Sequence, residues 1–345
     1  MATLRELAEI TGYSIATISR VLNQDTTLKV TEDTRNAILE AVEKTGYSNG
    51  QIVYRKSMCQ KFIRVGIVEK VTVKEAERNP YYLYLKSSVE KSCFSNGMET
   101  FIMQYDRAAD TYRCAVPREL DGILAIGQFR EEEIAAMRKC STQIIFIDSS
   151  PYPEEFCSVV PDYEAGIRQG IDYLIQQGHR KIMFAGPELT VDSLCRPYPE
   201  QRRKVFSDYA AYCGQKVEAV LLNTERLADD VVEKVMAYVK GIEDAAAKPT
   251  AFFTYNDPTA IGVLRALELM GYRVPEDFSV LSYNDTALVD VIKPQLSSIC
   301  INIEEMAESA VWMMKKLVME GAFVPVKIAV SSALQARESV RNILN

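Results

Sequence analysis

The sequence predicts an all-α helix-turn-helix headpiece followed by a two-lobed α/β domain built on doubly wound parallel sheets. Residues 3–23, TLRELAEITGYSIATISRVLN, carry two short apolar patterns at helical spacing, separated by a glycine turn. From residue 62 onward, branched apolar runs alternate with amphipathic segments, as expected of buried parallel strands covered by helices. A length of 345 residues with 48% hydrophobic content allows a headpiece plus one large two-lobed domain or two medium ones.

Within the headpiece, Thr3 and Glu6 fit a capping box that starts a helix at Leu4. Leu4, Leu7, Ala8 and Ile10 follow at helical spacing, and Gly12 can take the left-handed conformation that ends a helix. Ser14 caps a second helix with Ile18, Val21 and Leu22 inward, which turns Ile15, Ala16, Thr17, Ser19 and Arg20 outward. Such a small, polar outer face suits a helix lying in the major groove, about 12 Å wide, and reading base edges. A third helix, capped by Thr31, brings Ile38, Leu39, Val42 and Tyr47 to a small core. The alternative for this pattern is a helical hairpin packed on the larger domain.

Charge limits what the headpiece can do alone. The chain carries a net −7, and residues 1–50 hold five basic against seven acidic side chains. The following stretch, residues 51–64, has Arg55, Lys56, Lys61 and Arg64 and no acid, so this linker is the expected source of phosphate attraction, unless it is simply solvated. The eight cysteines are scattered without a C-x-x-C pair, and the single histidine, His179, sits in a turn before a strand. Neither pattern suggests a disulfide framework, a metal site or a histidine-based triad, and no cofactor is expected. No apolar run reaches about 18 residues and no signal peptide opens the chain, so a cytoplasmic protein with no membrane partner is expected.

The motif A-T-L-x-x-L-A-x-x-T-G-x-S-x-A-T-I-S-R-V-L-N, followed by K-V-T-x-x-T-R and E-x-x-G-Y, resembles the headpiece of the LacI/GalR family of bacterial transcription repressors over residues 2–47. The resemblance implies base-reading roles for Ile15, Ala16 and Arg20. It implies phosphate contacts for Thr3, Ser14, Thr17, Ser19, Asn23, Thr31 and Thr34. The chain then departs from the family's Y-x-P-N-x-x-A-x-x-L hinge: it lacks the proline, and Lys56 stands where the leucine wedge belongs. A lysine cannot pry open a base step as leucine does, so Arg55 and Lys56 are expected to follow phosphates or a narrow minor groove, with weaker kinking of the DNA.

In the larger domain the apolar runs are IRVGIVE, TFIMQYD, GILAIG, QIIFID, KIMFAG, VEAVLLN, AFFTYN and SVLSYN. Between several of them lie helical stretches such as YEAGIRQGIDYLIQQG, ADDVVEKVMAYVKGIE and DPTAIGVLRALELMG, the last with Asp257 as N-cap and Pro258 in the first turn. Ligands of such sheets collect at the carboxyl ends of strands, where Asp148, Ser149, Asn256, Asp257, Asn284 and Asp285 fall. Taken alone these residues are helix caps or turns as readily as sugar-gripping groups.

The family resemblance continues here, and implies a periplasmic-binding-protein-like effector domain. N-P-Y-Y at 79–82 looks like its N-P-F-F at the cleft mouth, and Arg202 matches its ligand-gripping arginine. Tyr81, Tyr82, Asp148, Arg202, Asn256 and Asn284 are therefore the implied effector-binding residues. Asn284 in place of an aspartate, and Ile301 in place of a cleft-facing glutamine of one relative, imply a different choice of sugar. With Arg203 also in the cleft a sugar phosphate would be favoured; with Arg203 outside, a neutral sugar.

The implied organisation is a headpiece at 1–50, a linker at 51–63 and an effector and dimerisation domain at 64–345. Its N-lobe spans about 64–161 and 303–327, and its C-lobe about 162–300 and 330–345, with crossings near Pro161, Ile301 to Ile303 and Ile328 to Val330. No leucine heptad follows the C-lobe, so a homodimer on a palindromic double-stranded operator is expected, its hold on DNA altered by a carbohydrate in the cleft. Two other classes compete. A cytoplasmic sugar receptor would share the lobes, but gives no role to the headpiece. An α/β enzyme would need a phosphate loop, a G-x-S-x-G elbow or an acid pair; only Asp257 with Asp285 could be imagined as the last, so no enzyme is expected.

Overall fold

A computed structural model of the chain describes residues 3–22, 28, 30–45, 62–114, 119–244, 247–321 and 324–344. It divides into two units, Met1–Phe62 and Ile63–Asn345.

The first unit holds α1 (Leu4–Thr11), α2 (Ile15–Leu22) and α3 (Glu32–Thr45). The capping box forms: the Thr3 N–H donates to Glu6 Oε2 at 2.7 Å and the Glu6 N–H to Thr3 Oγ1 at 3.3 Å. Gly12, at φ 73°, ends α1. Leu7, Ile18, Val21, Leu22, Ile38, Ala41 and Val42 form the core. Ile10 and Leu39 do not join it, being 60% and 44% exposed. At about 100° of turn per residue, Ile10 lies on the far side of Leu7 from Leu4 and Ala8, and Leu39 lies a quarter-turn round from Ile38. Tyr47 is outside the described residues.

The second unit contains two sheets. The N-lobe sheet has the order β12-β6-β5-β4-β1-β2-β3, from β1 (Ile63–Lys70), β2 (Met98–Asp106), β3 (Thr111–Cys114), β4 (Gly122–Gly127), β5 (Ile144–Ile147), β6 (Cys157–Pro161) and β12 (Lys327–Val330). The C-lobe sheet has the order β13-β11-β10-β9-β7-β8, from β7 (Lys181–Gly186), β8 (Glu218–Asn223), β9 (Ala251–Thr254), β10 (Ser279–Asn284), β11 (Ser297–Ile301) and β13 (Ser332–Gln335). Among the described strands only the β2–β3 and β11–β13 pairs are antiparallel. All eight apolar runs are strands. The short edge strands β3, β12 and β13, the serine-led β11 and the proline-ended β6 carry too little apolar run to stand out.

Around the sheets lie α4 (Val73–Arg78), α5 (Tyr81–Ser95), α6 (Glu131–Cys140), α7 (Tyr163–Gln176), α8 (Gln201–Cys213), α9 (Val231–Lys240), α10 (Asp257–Leu269), α11 (Leu288–Val291) and α12 (Ile303–Glu320). The N-cap of α10 is Asn256, whose side chain accepts from the Thr259 N–H, and not Asp257, because Asn256 is the last extended residue, at φ −163°. The chain crosses between sheets after Pro161, after Ile301 and after Val330. Residues 328–330 therefore stay with the N-lobe, paired in parallel with β6. Gly166 and Gly170 let α7 lie directly on Tyr283 and Phe253, leaving no room for a Cβ.

Candidate functional site

The headpiece presents its outward face as the sequence implies. Ile15, Ala16 and Arg20 are exposed on α2, and Thr17 and Ser19 are half-buried beside them. The hydroxyls occur as pairs at helix N-termini. Ser14 Oγ accepts from the Thr17 N–H at 3.1 Å and lies 2.8 Å from Thr17 Oγ1, while Thr31 and Thr34 repeat the arrangement on α3 at 3.2 and 2.9 Å. Helix N-termini carrying such hydroxyls suit a phosphate, since partial positive charge and donors coincide there. Asn23, Arg55 and Lys56 lie outside the described residues. Arg64 is not a linker cation: it is the second residue of β1, its N–H donating to Asp121 Oδ2 at 2.8 Å and its Nε 3.9 Å from the same oxygen.

In the second unit, strand ends of both sheets face a cleft between the lobes. An inner chamber is lined by Tyr81, Tyr82, Asp148, Arg202, Asn256 and Asn284, so all six implied effector residues come together. Sequence reasoning missed others there, among them Tyr163, Tyr255, Arg226 and Glu75. Asp148 is the hub. Tyr82 donates to its Oδ2 at 2.7 Å, and Tyr81 and Tyr163 donate to Oδ1 at 3.1 and 3.3 Å, the last across the lobes. Tyr82 thus binds the carboxylate and packs edge-on to Tyr81, at 5.1 Å between centroids.

Arg202 is buried on a phenol platform, its Cζ 3.6 Å from the Tyr255 ring centroid and 4.8 Å from that of Tyr163. Its Nε donates to Glu200 Oε1 at 2.9 Å and its Nη1 to the Tyr255 carbonyl at 3.0 Å. Asn256 spends its carbonyl on capping α10, accepting from the Thr259 N–H at 3.0 Å and from Thr259 Oγ1 at 2.8 Å. Its amide nitrogen is the group left for the cleft. Arg203 turns away, donating to the carbonyls of Gly186 and Leu222. Ile301 packs in the core and does not line the cleft, because β11 places it against buried apolar neighbours.

Electrostatics follow from burial. Burial pushes the Asp148 carboxyl above its ordinary range, while the Tyr82 hydroxyl and Arg202 pull it back. Burial and that carboxylate push the Tyr81 and Tyr82 phenols well above theirs, so both stay donors. Asp148 and Asn284 have φ of 68° and 99°, strain placed where the strands meet the cleft. Two groups bridge the mouth between lobes: Asp229 takes Lys74 at 2.7 Å and also Arg78, and Arg226 Nε lies 3.8 Å from Glu75 Oε1.

Asp257 and Asp285 do not form an acid pair. Ser282 and Thr286 satisfy Asp257, and Arg337 holds Asp285 in a bidentate pair. Among the described residues no group of three or more His, Cys, Asp or Glu side chains is arranged to hold a metal, seven cysteines are free thiols, and no helix is long and apolar enough to cross a membrane.

Residues 3–49 match the family model of bacterial regulatory proteins, lacI family, and residues 171–340 match a periplasmic binding protein-like domain. The HTH-type transcriptional regulator GalR of Streptococcus thermophilus is 30% identical over 342 residues, covering 99% of this chain and all of that one. The chain belongs to the LacI family. The chain is accordingly a DNA-binding transcription regulator, as its relatives named HTH-type transcriptional regulators are, which agrees with the outward face of α2. Solved structures that share the fold include two at 20% identity. The lac repressor dimer bound to operator and the anti-inducer ONPF has a TM-score of 0.64, with 99% of each chain covered. The transcriptional regulator CelR in complex with cellobiose has a TM-score of 0.65, with 98% of this chain and 100% of that one covered.

Proposed function

We propose that this LacI-family regulator is a cytoplasmic homodimer that represses carbohydrate-utilisation genes from a palindromic operator, and that a neutral sugar bound between its lobes changes its hold on DNA. The observation that carries the effector reading is the ring of Asp148, Arg202, Asn256 and Asn284 with four tyrosines, since carboxylates and amides grip adjacent hydroxyls and phenol rings cover apolar sugar faces. Arg203 turned out of the cleft favours a neutral sugar over a phosphorylated one. The relatives support the same reading: GalR by its name, and CelR by its cellobiose.

On the DNA side, Ile15, Ala16 and Arg20 read bases. Thr3, Ser14, Thr17, Ser19, Asn23, Thr31 and Thr34 hold phosphates, and Arg55 and Lys56 extend the contact along the backbone. The headpiece spans 1–50 and the linker 51–63. Closure of the lobes around a sugar shifts their angle, moves the two linkers of the dimer and so alters headpiece spacing. A thermal-shift screen against neutral and phosphorylated sugars tests the effector, because a ligand at 100 times its Kd stabilises by about 2.7 kcal/mol. No shift with any sugar removes the carbohydrate reading. Failure to enrich a palindrome from random DNA removes the operator reading.

A further inference from the structure

We infer that the cleft is built for a carbohydrate of at least two rings, with the second ring held between a C-lobe hairpin and the strand ends of the N-lobe. This rests on the carbohydrate reading above and names the size class of the ligand. As it stands the inner chamber offers a cavity of about 40 Å³, because the Tyr81 and Tyr82 hydroxyls occupy it on their way to Asp148, and the first ring takes that place by displacing them. A second chamber of about 550 Å³ opens from the same floor, sharing Asp148, Tyr163, Arg202, Arg226 and Tyr255. That volume falls in the range of about 300–1,000 Å³ that encloses ligands well beyond a single hexose.

The wall of this chamber is a built element. Between β7 and α8 the chain makes a hairpin: the Asp192 N–H donates to the Arg196 carbonyl at 3.0 Å, Tyr198 to Thr190 at 2.9 Å and Glu200 to Leu189 at 3.0 Å. Asp192 Oδ1 accepts from the Leu194 and Arg196 N–H groups, which holds the tip. The hairpin is anchored across the cleft. Leu194 packs against the N-lobe cluster of Phe129, Phe146 and Phe156, and Arg196 Cζ sits 5.3 Å from the Tyr152 ring centroid. Tyr198 and Ser193 line it from the hairpin and Ser149 and Gln128 from the N-lobe strand ends, with charged groups such as Arg196 and Lys327 among them, a mixture of aromatic face and polar edge that suits a sugar ring.

Titration calorimetry on the full chain tests this with glucose, galactose and fructose and with maltose, cellobiose, lactose, melibiose, trehalose and sucrose. The expected result is one disaccharide bound at least about tenfold more tightly than either of its constituent monosaccharides. Tyr198→Ala and, on the opposite wall, Gln128→Ala should each weaken that disaccharide severalfold while leaving the monosaccharide within about twofold. A monosaccharide bound as tightly as its disaccharides, or variants that weaken both alike, overturns the two-ring assignment while leaving the carbohydrate reading standing. No heat with any of the nine overturns the carbohydrate reading and the two-ring assignment with it.

Discussion

Tyr82 donates its hydroxyl to Asp148 Oδ2 at 2.7 Å, so the residue best placed to grip a sugar hydroxyl already holds a partner from its own lobe. A ligand that uses Asp148 must displace or share this bond. Tyr82→Phe should therefore tighten sugar binding by about fivefold, the worth of a net hydrogen bond near 1 kcal/mol, while lowering stability by a similar amount. Asp148→Asn should weaken sugar binding, since it removes acceptor charge. Calorimetry with chemical denaturation checks both, and a weaker Kd for Tyr82→Phe would refute the competition.

Asp229 joins Lys74 and Arg78 across the cleft mouth. These are half-exposed pairs, each worth about 1 kcal/mol or less, but they favour the closed lobes. Asp229→Ala should raise the sugar Kd by about two- to fivefold and speed association, because less of the protein occupies the closed form. Stopped-flow fluorescence reads both numbers. Unchanged association would show that the mouth does not limit entry.

Base and phosphate contacts should separate on mutation. Arg20→Ala should cost about 1–3 kcal/mol on operator and little on scrambled DNA, and Thr17→Ala should weaken both similarly. Fluorescence anisotropy at fixed salt measures the pair. Equal losses on both DNAs for both variants would contradict the division of roles.

His179 is buried, with Nδ1 2.9 Å from Thr250 Oγ1, and burial pushes its imidazole down to about 4. In the unfolded chain it titrates near 6.5. A depressed folded value gives stability that is present above about pH 6.5 and is lost as pH falls through about 4, by at most about 3 kcal/mol. His179→Asn keeps a polar partner for Thr250 without the titration. Urea denaturation between pH 7 and pH 4 should show a steeper loss for the wild type, and parallel losses would exclude this linkage.

The headpiece is legible in the sequence because its structure is local. Thr3, Glu6, Gly12 and Ser14 act within four residues of their partners, and the apolar spacing follows one helix at a time. Ile10 and Leu39 mislead because a helix this short selects its buried face by which neighbours exist, and not by composition. The strands of the α/β domain are legible for the same reason. The cleft is not. Tyr163, Arg226 and Tyr255 share a chamber with Asp148 only through the crossing of the two lobes, and Glu75 reaches Arg226 across 151 positions that carry no periodic signal. The hairpin wall, with its polar and proline-rich stretch around Pro197 and Pro199, reads as a plain loop until Leu194 is seen against the N-lobe core.

The central claim is that the cleft and the headpiece face are energetically coupled. The most direct measurement is operator affinity with and without a saturating amount of the tightest-binding sugar, paired with sugar affinity on free and operator-bound protein. Coupling predicts that the two ratios agree and differ from one by about fivefold or more, because linkage is reciprocal. Identical operator isotherms with and without bound sugar would contradict it.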